Sequence, residues 1–245
     1  MPISKSKPYG YVSLIYDSLM LQVNYDHWAG YIYKLSKNYI SSDSDVLDLG
    51  AGNCKLANRL IKLYPNLIAT DISLSMLNYS DTEAVPKICC DMTKLPFKKK
   101  FHLIYSTFDS VNYLIKISSL KTLFDEVKNL LADNGIFTFD VCLENNSKPM
   151  VKQNTTEAKY GDIHYKQVSS YNRVTKIHKN SFTIYNPNGK IVKEIHKQKI
   201  FNFNTYFKII YNTGLSVINC FDAFTFRDGS DQSERVQFIL KNQGS

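Results

Sequence analysis

Between residues 45 and 142, short apolar runs alternate with longer stretches whose apolar residues recur at helical spacing. The short runs predict five strands, near 45–49, 67–71, 88–90, 101–105 and 135–141. The longer stretches predict helices near 54–63, 74–79 and 119–131. Asn134-Gly135 is expected to end the third helix. This alternation is typical of a parallel sheet that helices cover on both faces.

A helical pattern precedes this region. Apolar and aromatic residues recur near helical spacing at Tyr16, Leu19, Met20, Val23, Trp28, Tyr31, Ile32 and Leu35. The first forty residues are therefore expected to form two helices, with Asp26 as the cap of the second. The two aromatic residues Tyr16 and Trp28 are interpreted either as part of the core or as part of a site.

The pattern changes beyond Asp140. Polar residues alternate with apolar or aromatic ones over 163–175, 179–186 and 191–201. This alternation predicts strands with one solvated face, and Asn186-Pro187-Asn188-Gly189 predicts a tight hairpin turn between two of them. Residues 145–200 are therefore expected to form an antiparallel insertion that is rich in tyrosine.

The C-terminal part of the chain returns to a helix followed by strands. Residues 202–213 predict a helix that ends at Gly214. Two strands are predicted after it, at 215–221 and 236–240, and the last is expected to run antiparallel. These two strands would complete the sheet that begins near residue 45.

Length and composition exclude several classes of protein. A chain of 245 residues suits one large α/β domain or a domain with a cap, and its 44% hydrophobic content excludes a disordered chain. No run of 18 apolar residues occurs, and the N-terminus lacks the apolar stretch of a signal peptide, so no membrane contact is expected. The five cysteines form neither a CxxC pair nor a cluster with histidines at metal spacing. We therefore expect no metal site and a cytoplasmic protein with reduced thiols.

The net charge of +8 comes from 30 basic and 22 acidic residues. An excess of this size is one mark of nucleic-acid binding. Lys98-Lys99-Lys100 is a single run before a predicted strand, whereas other lysines in the C-terminal half mostly alternate with apolar residues. Such lysines belong to the solvated face of a strand, so the charge is interpreted as surface charge. Binding of RNA is the alternative.

Three acidic residues and a glycine-rich turn follow the predicted strands. Asp48 ends the first strand just before Gly50-Ala51-Gly52, Asp71 ends the second, and Asp91 follows the third. The carboxyl ends of parallel strands share one edge, where turn glycines admit a ligand and an acid accepts hydrogen bonds from ribose hydroxyls. The third glycine of the dinucleotide pattern is missing, and Asp48 suits a cation better than a pyrophosphate. Taken singly, Asp71 and Asp91 are also explained as caps of the next helix or turn.

This order of an acid, Gly-x-Gly, a second acid and a third acid resembles class I S-adenosylmethionine (SAM)-dependent methyltransferases of the bacterial small-molecule type. The family usually has glycine where this chain has Cys54. The resemblance implies an α/β, Rossmann-like fold with a mostly parallel seven-stranded sheet, helices on both faces, N-terminal lid helices and a small antiparallel β insertion. It also implies SAM as the cofactor and S-adenosylhomocysteine as its product.

The resemblance divides the chain into three parts. Residues 1–40 are expected to form a helical lid over the cofactor. Residues 41–144 and 201–243 are expected to form the SAM-binding domain. Residues 145–200 are expected to form an antiparallel β cap on the substrate side, where their tyrosines either line a pocket or fill the interior of a small sheet.

The resemblance also assigns roles to individual residues. Asp48 and the glycine turn are expected to contact the methionine part of SAM, Asp71 the ribose hydroxyls, and Asp91 the adenine amino group. The full set of expected cofactor-binding residues is Tyr16, Trp28, Asp48, Gly50, Ala51, Gly52, Asp71, Ile72, Met76, Asp91, Met92, Thr107 and Phe108.

Methyl transfer from a sulfonium requires an aligned nucleophile, and an alcohol or an ammonium group must also lose a proton. The candidates for these tasks are Tyr16, Tyr113, His164 and His196. A histidine is suited to take a proton near neutral pH, and His196 lies in a Glu-x-His-x-Gln strand that resembles one in relatives. Both histidines also have a purely structural interpretation, and transfer by positioning alone stays open.

The leading hypothesis is a metal-independent methyltransferase that acts on a nitrogen or oxygen of a small molecule, because lid helices and an insertion enclose a site. An RNA methyltransferase, supported by the positive charge, is the second hypothesis. A SAM-binding protein without catalytic activity is the third, and the departure at Cys54 admits it. The expected partner is a small methyl acceptor, and the expected assembly is a monomer or a homodimer.

Overall fold

The computed structural model describes residues 3–80 and 84–244. In chain order the strands are β1 (Ile3–Lys5), β2 (Val46–Leu49), β3 (Leu67–Asp71), β4 (Lys87–Cys89), β5 (Phe101–Ser106), β6 (Leu131–Cys142), β7 (Asn154–Tyr160), β8 (Ile163–Asn172), β9 (Ile177–Tyr185), β10 (Ile191–Lys199), β11 (Leu215–Asp222) and β12 (Arg235–Asn242). The α-helices are α1 (Tyr16–Leu19), α2 (Tyr25–Ser36), α3 (Ala57–Leu60), α4 (Leu74–Asn78), α5 (Ile117–Leu130), α6 (Glu144–Ser147) and α7 (Phe203–Asn212). Single turns of 3-10 helix lie at Val12–Ile15, Ser110–Tyr113 and Lys148–Val151.

Seven strands form the main sheet, in the order β11-β12-β6-β5-β2-β3-β4. Neighbouring strands from β6 to β4 are parallel, whereas β12 is antiparallel to both β6 and β11. The predicted mixed α/β fold with a mostly parallel seven-stranded sheet is thereby confirmed, including the antiparallel last strand. The strand order reverses between β2 and β5, and ligands of open α/β sheets bind outside the carboxyl ends of the strands at such a reversal.

Helices cover both faces of the main sheet because its strands are apolar on both sides. Every residue of β2 is buried. On one face, beneath α5 and α7, the rings of Phe137, Phe139 and Phe238 lie in a row with neighbouring centroids 5.0 Å apart. On the other face, α2 and α3 pack Ile32 and Leu60 into a second core. Since both faces are covered, a site on this sheet has to form at the strand ends.

Five strands form a second sheet, in the order β1-β10-β9-β8-β7. All of its neighbours are antiparallel except β1 and β10. The predicted hairpin joins β9 to β10, and the Gly189 N–H there donates to the Asn186 carbonyl at 2.9 Å. Val12 and Ile15 pack against Phe182 on this sheet. The N-terminal segment is therefore attached to the insertion as well as to the main domain.

The first forty residues differ from the expected pair of helices. β1 is a strand at the edge of the second sheet, and it precedes the short α1 and the longer α2. Asn24 rather than Asp26 caps α2, because the Asn24 side-chain oxygen accepts the His27 N–H at 2.9 Å. Asp26 lies in the first turn and forms an ion pair with Arg59 at 3.3 Å. β7 was not predicted, since its residues are mostly exposed and show no clear alternation.

Two predicted helix boundaries are also corrected. The helix expected near 54–63 is reduced to α3, with turns on either side. Asn134-Gly135 does not end α5 but lies inside β6. A Cβ on Gly135 would lie 3.0 Å from the carbonyl oxygens of Phe101 and His102, so glycine lets the backbone of β6 approach that of β5.

Residues 1–2 of the expected lid and residues 81–83 of the expected SAM-binding domain lie outside the described part. Within 3–80 and 84–244, no helix combines the length and the apolar character that crossing a bilayer requires. The same ranges contain no group of three or more acidic, cysteine or histidine side chains arranged to hold a metal ion.

Candidate active site

A cavity of about 490 Å³ opens at the carboxyl ends of β2, β3, β4 and β5. Its size falls within the range of roughly 300–1,000 Å³ that is typical of small-molecule sites. The strand ends supply its lining in the predicted way, with Gly50-Ala51-Gly52 after β2, Asp71-Ile72 at β3, Asp91-Met92 after β4 and Thr107-Phe108 after β5. The cavity therefore lies at the reversal of strand order.

The glycine-rich turn after β2 lies close to the rest of the cavity wall. Gly50 and Gly52 have φ angles of +77° and +58°, in the left-handed region that favours glycine. A Cβ on Gly50 would lie 2.9 Å from the Cβ of Ser110, and the Gly50 N–H donates to the Thr70 carbonyl at 2.8 Å. Cys54, at the position where the family usually has glycine, is buried with a φ of +60°. The left-handed turn is thus kept even though a cysteine has to adopt it.

Asp71 connects the glycine turn to the start of α4. Its Oδ2 accepts the Gly52 N–H at 2.9 Å and its Oδ1 accepts the Ser73 N–H at 2.7 Å. Burial raises the pKa of this carboxyl, and the two backbone hydrogen bonds oppose the rise. Ser73 caps α4 by accepting the Met76 N–H at 3.3 Å, so Asp71 is not the helix cap. Asp71 therefore lines the cavity between the glycine turn and α4.

The two carboxyl oxygens of Asp48 differ in their hydrogen bonding, and this difference bears on whether a cation fits the cavity. Its Oδ2 accepts a 2.8 Å hydrogen bond from the Tyr105 hydroxyl, while its buried Oδ1 has no partner among the described residues. Burial raises the pKa of Asp48 to about 8, although the hydrogen bond from Tyr105 opposes the rise. A buried acceptor without a donor destabilises the protein, and a cationic donor in the cavity would remove that penalty. The free carboxyl oxygen of Asp48 therefore fits a positively charged ligand beside the glycine turn.

We expect the ligand-free protein to lose stability as the pH rises towards the Asp48 pKa of about 8. The folded state retains a proton that the unfolded chain releases near pH 4 (about 3.9 for a free aspartate), so rising pH favours the unfolded chain until the folded group also ionises. Asp48→Asn, which does not ionise, should therefore unfold about 10 °C above the parent at pH 8 and close to it near pH 4. Thermal unfolding followed by circular dichroism across this range measures the gap. A gap that is the same at every pH would contradict the assignment.

The structure brings together every expected cofactor-binding residue except Trp28. The cavity is lined by Tyr16, Asp48, Gly50, Ala51, Gly52, Asp71, Ile72, Met76, Asp91, Met92, Thr107 and Phe108. Ile72 is exposed at the edge of the cavity, and Met76 is buried. Asp91 accepts hydrogen bonds from the Thr93 N–H and hydroxyl, both at 2.8 Å, through one carboxylate oxygen. Its other oxygen makes no hydrogen bond that the structure records.

Trp28 lies behind the cavity rather than in its wall. It is buried, and its ring centroid lies 4.4 Å from that of Phe108 and 4.6 Å from that of Phe224. Phe108 lines the cavity, so Trp28 supports a cavity residue from the core. The expectation that Trp28 contacts the cofactor is therefore corrected, because helical spacing alone does not distinguish a core aromatic from a site aromatic.

A second cavity, of about 350 Å³, adjoins the first. Tyr9, Tyr16, Phe108 and Tyr113 line both cavities. The polar side chains that line the second cavity are Tyr9, Tyr16, Asp109, Tyr113, Gln167, Asn180, His196, Gln198 and Arg235. Three candidate catalytic residues, Tyr16, Tyr113 and His196, therefore lie at or beside the junction of the two cavities.

His164 lies outside both cavities. It is exposed on β8, and its ring lies 5.3 Å from that of Tyr185. Successive side chains of a strand point to opposite faces, and the next residue, Tyr165, is buried against Val12 and Ile15. The expectation that His164 takes a proton from the acceptor is therefore corrected, since its side chain is on the solvent side of the insertion.

A row of polar side chains leads from the junction into β10. The hydroxyl oxygens of Tyr9 and Tyr113 are 2.7 Å apart. The Tyr113 hydroxyl lies 3.1 Å from Nδ1 of His196, and Nε2 of His196 lies 3.4 Å from Oε2 of Glu194. Glu194 and His196 are buried at 0% and 3% exposure, so these contacts are shielded from water.

An ion cluster forms another part of the second cavity's wall. Arg235 on β12 forms an ion pair with Asp109 at 2.6 Å and a hydrogen-bonded pair with Asp140 on β6. Asp140 is fully buried, and burial raises its pKa to about 6 while Arg235 opposes the rise. Asp109 also accepts a hydrogen bond from Gln198 of β10. The cluster therefore connects the main sheet to the insertion.

Sequence reasoning missed Tyr9, Asp109 and Arg235 in these walls, and the buried Glu194 beside His196. Asp109 gave a usable signal, because it follows β5 in the same way that Asp91 follows β4. Glu194 was noticed only as a neighbour of His196. Tyr9 and Arg235 gave no signal, because their partners lie about a hundred residues away in the chain.

Comparisons with known proteins agree with this geometry. Residues 46–135 match a family model described as a methyltransferase domain. A protein from Geobacillus sp. (strain WCH70) that is named as a methyltransferase is 27% identical over 239 residues, which are 92% of this chain and 96% of the relative. An S-adenosylmethionine-dependent methyltransferase from Clostridium acetobutylicum has a TM-score of 0.81 at 23% identity, covering 96% of this chain and 99% of that one. The sugar N-methyltransferase KedS8 from Streptoalloteichus sp. has a TM-score of 0.77 at 14% identity, covering 99% of each chain.

The two solved structures are similar to this chain in fold. The family model covers β2, β3, β4 and β5 and the start of β6, which are the strands that build the first cavity. The acid and glycine turn that suggested the family lie on the wall of that cavity, together with the second and third acids. The chain is therefore similar to class I SAM-dependent methyltransferases, in sequence over residues 46–135 and in its overall fold.

Proposed function

We propose that this protein transfers a methyl group from SAM to a nitrogen or oxygen atom of a small molecule. The observation that carries the proposal is the junction of the two cavities. One cavity holds three acidic side chains from the strand ends, and residues of the insertion line part of the other. Tyr9, Tyr16, Phe108 and Tyr113 are common to both, so ligands in the two cavities would meet there. In-line transfer requires this kind of placement.

The first cavity has groups that match each part of the cofactor. Bound SAM supplies a methyl carbon that its sulfonium already activates, so the protein has to hold and align the reactants without a metal. Asp48 is assigned to the α-ammonium group, because its free oxygen needs a cationic donor. Asp71 is assigned to the ribose hydroxyls, and Asp91 to the adenine amino group. Ile72 and Met76 provide an apolar surface beside adenine.

The second cavity is assigned to the acceptor. Gln167, Asn180 and Gln198 give it amide groups that both donate and accept hydrogen bonds, which suits a polar small molecule. In this proposal residues 145–200 act as a cap and residues 1–40 as a lid, because β8, β9, β10 and the N-terminal segment supply much of the wall. The fold likeness to a sugar N-methyltransferase is compatible with an amino sugar as one such acceptor.

The same wall disfavours a folded RNA as the acceptor. Among the described residues that line the second cavity, Arg235 is the one permanent cation, and two acids already pair with it. Neutralising phosphates requires free lysine and arginine side chains.

All five cysteines are free thiols, which supports a cytoplasmic location for the enzyme.

We expect purified protein to bind SAM and S-adenosylhomocysteine in calorimetry and to label a small molecule when SAM carries a radioactive methyl group. The acceptor panel consists of amino sugars, amino acids, small alcohols and tRNA in parallel. Label in a small molecule supports the proposal, and Asp71→Ala should weaken the binding strongly and reduce the labelling. Labelling of tRNA with a steep salt dependence would instead identify RNA as the acceptor. Binding without labelling of any acceptor would indicate a protein that binds SAM without turnover.

A further inference from the structure

Tyr9, Tyr113, His196 and Glu194 form a row of neighbouring polar side chains. Glu194, at one end, sets the direction in which the hydrogen bonds of this row are donated. As a carboxylate, Glu194 accepts hydrogen bonds and donates none. Its Oε2 lies 3.4 Å from Nε2 of His196, and neither of these buried atoms has a hydrogen-bond partner among the described residues. The charge of the carboxylate therefore favours the tautomer of His196 with its proton on Nε2, facing Glu194. Nδ1 then carries a lone pair, and at 3.1 Å it accepts the hydroxyl proton of Tyr113. With that proton committed, the oxygen of Tyr113 accepts the proton of Tyr9 at 2.7 Å.

The other neighbours of His196 do not compete with Glu194 in deciding which ring nitrogen carries the proton. The ring of Phe182 lies 5.2 Å away and the ring of Tyr9 lies 4.6 Å away, both edge-on. Asn180 on β9 is opposite His196 in the ladder, but its side-chain oxygen accepts hydrogen bonds from Gln167 and Ser169. Across the cavity, Asp109 and Arg235 are paired with each other. Among the described residues, Glu194 is therefore the group that fixes the His196 proton.

Glu194 also positions the far end of the row. Its Oε1 accepts hydrogen bonds from the backbone N–H groups of Tyr11 and Val12, the latter at 3.1 Å. These residues follow Tyr9 in the chain, and the Tyr9 carbonyl accepts a 3.3 Å hydrogen bond from Ser73 at the start of α4. One buried carboxylate thus holds the N-terminal segment with one oxygen and faces His196 with the other. The placement of Tyr9 and the tautomer of His196 depend on the same side chain.

We propose that Tyr9, Tyr113 and His196 form a directed relay that removes the acceptor's proton during methyl transfer, with Glu194 as its positioning residue. This inference rests on the proposed function. The acceptor atom uses its electron pair to bond the methyl carbon, and the pair of the broken carbon–sulfur bond remains on sulfur. The acceptor's proton passes to the Tyr9 oxygen, the Tyr9 proton passes to Tyr113, and the Tyr113 proton passes to Nδ1 of His196. Glu194 stabilises the imidazolium that results.

The tyrosines need the histidine as the final acceptor of the proton. Burial raises the pKa of Tyr9 and of Tyr113 well above the ordinary value, so neither hydroxyl is ionised near neutral pH. Each can pass a proton on only while it receives another. His196 is the first member of the row whose side chain becomes a cation, with a proton on each ring nitrogen, when it accepts a proton.

The tautomer of His196 tests this arrangement without any acceptor. In long-range nitrogen–proton NMR spectra of the full chain, the five histidines give separate patterns, and His196→Gln identifies the pattern that disappears. We expect the proton of His196 on Nε2 in the parent protein. In Glu194→Gln the amide oxygen has to face the two backbone donors, so the amide NH₂ faces Nε2 and should move the proton to Nδ1. A parent protein with the proton on Nδ1, or a Glu194→Gln variant with an unchanged tautomer, would overturn the proposal.

Matched variants separate this role from a structural one. Glu157→Gln, an exposed residue on β7 of the same sheet, should leave the His196 tautomer unchanged. Tyr113→Phe removes a single oxygen and should retain the parent tautomer. With the acceptor found in the panel above, it should lower kcat about 10²-fold while KM changes by less than about threefold. If Glu194→Gln does not fold, the parent tautomer and the Tyr113→Phe kinetics decide, and an unchanged kcat in Tyr113→Phe overturns the relay.

The relay and the proposed function fail in different experiments. Absence of binding of S-adenosylhomocysteine in calorimetry would reject the methyltransferase assignment, whatever the tautomer is. Normal binding together with the wrong tautomer would reject the relay alone, and methyl transfer would then proceed by alignment without these residues.

Discussion

Asp71→Ala is expected to weaken the binding of SAM and of S-adenosylhomocysteine about 10²-fold, with an equal effect on both ligands. The assigned ribose contacts would be lost, and hydrogen bonds to a charged group contribute about 1.5–3 kcal/mol each. The Gly52 N–H would also lose its 2.9 Å acceptor, and the Ser73 N–H its 2.7 Å acceptor, so the glycine turn would lose its connection to α4. Titration calorimetry at constant salt measures both affinities.

Two variants give this measurement its controls. Asp71→Asn retains one acceptor oxygen, so its loss should be smaller, about tenfold. Asp162→Ala, at an exposed turn between β7 and β8, removes an aspartate of similar charge far from the cavity and should leave both affinities unchanged. Affinities in Asp71→Ala within twofold of the parent would reject the ribose assignment. An equal loss in the Asp162 variant would indicate a general effect of charge.

Arg235→Met should destabilise the folded protein by about 3–5 kcal/mol, because it leaves a buried acid without its cationic partner. Asp140 is 0% exposed, and one of its oxygens already has no partner among the described residues. Asp109 would remain beside it as a second negative charge. Chemical denaturation with urea, followed by circular dichroism, gives the free energy of unfolding directly.

The pH dependence of this variant has a definite sign. Burial already raises the pKa of Asp140 to about 6, and the Arg235 guanidinium is what holds the pKa down against burial. Without the arginine the folded state would retain the proton to a higher pH, so the stability of Arg235→Met should fall with rising pH from about 4 upwards. The penalty should therefore be smaller at pH 5 than at pH 8.

Arg227→Met is the matched control for this experiment. Arg227 also forms an ion pair with an aspartate, Asp222, at 3.3 Å, but its side chain is 79% exposed. Exposed pairs contribute about 0–1 kcal/mol, so this variant should unfold close to the parent. The double variant Arg235→Met with Asp140→Asn should recover part of the loss, since it removes the unpaired charge. A loss below about 1 kcal/mol in Arg235→Met would contradict the cluster's structural role.

The parallel sheet and the first cavity were accessible from the sequence because their signals are local. Each strand is a short apolar run, and Asp48, Asp71 and Asp91 lie at or just after the carboxyl ends of three such runs, so the chain order itself places them on one edge. The same local logic was wrong for Asn134-Gly135, which serves a close approach between two strands rather than a helix end. A glycine after a helical pattern has two explanations, and the neighbouring strand decides between them.

The histidines show where local patterns are insufficient. His164 and His196 both lie in alternating strands of the insertion, and this alternation by itself does not distinguish between them. Their faces differ because β8 packs Tyr165 inward, which sends His164 to the solvent, whereas β10 packs His196 itself inward. The expectation for Trp28 was wrong for a similar reason. Helical spacing indicates which face of a helix is buried, but not whether that face packs against the core or against a cofactor.

The sequence by itself determined the α/β sheet, the resemblance to class I methyltransferases and the acids at the strand ends, because periodicity and strand–turn order are properties of contiguous residues. Only the tertiary structure decided which side chains face the acceptor cavity and how they are linked. Tyr9 reaches Tyr113, Glu194 reaches Tyr11 and Val12, and Arg235 reaches Asp109, each across about a hundred residues or more of chain. Such contacts follow from how the N-terminal segment, the insertion and the main sheet pack together, and no local spacing encodes that packing.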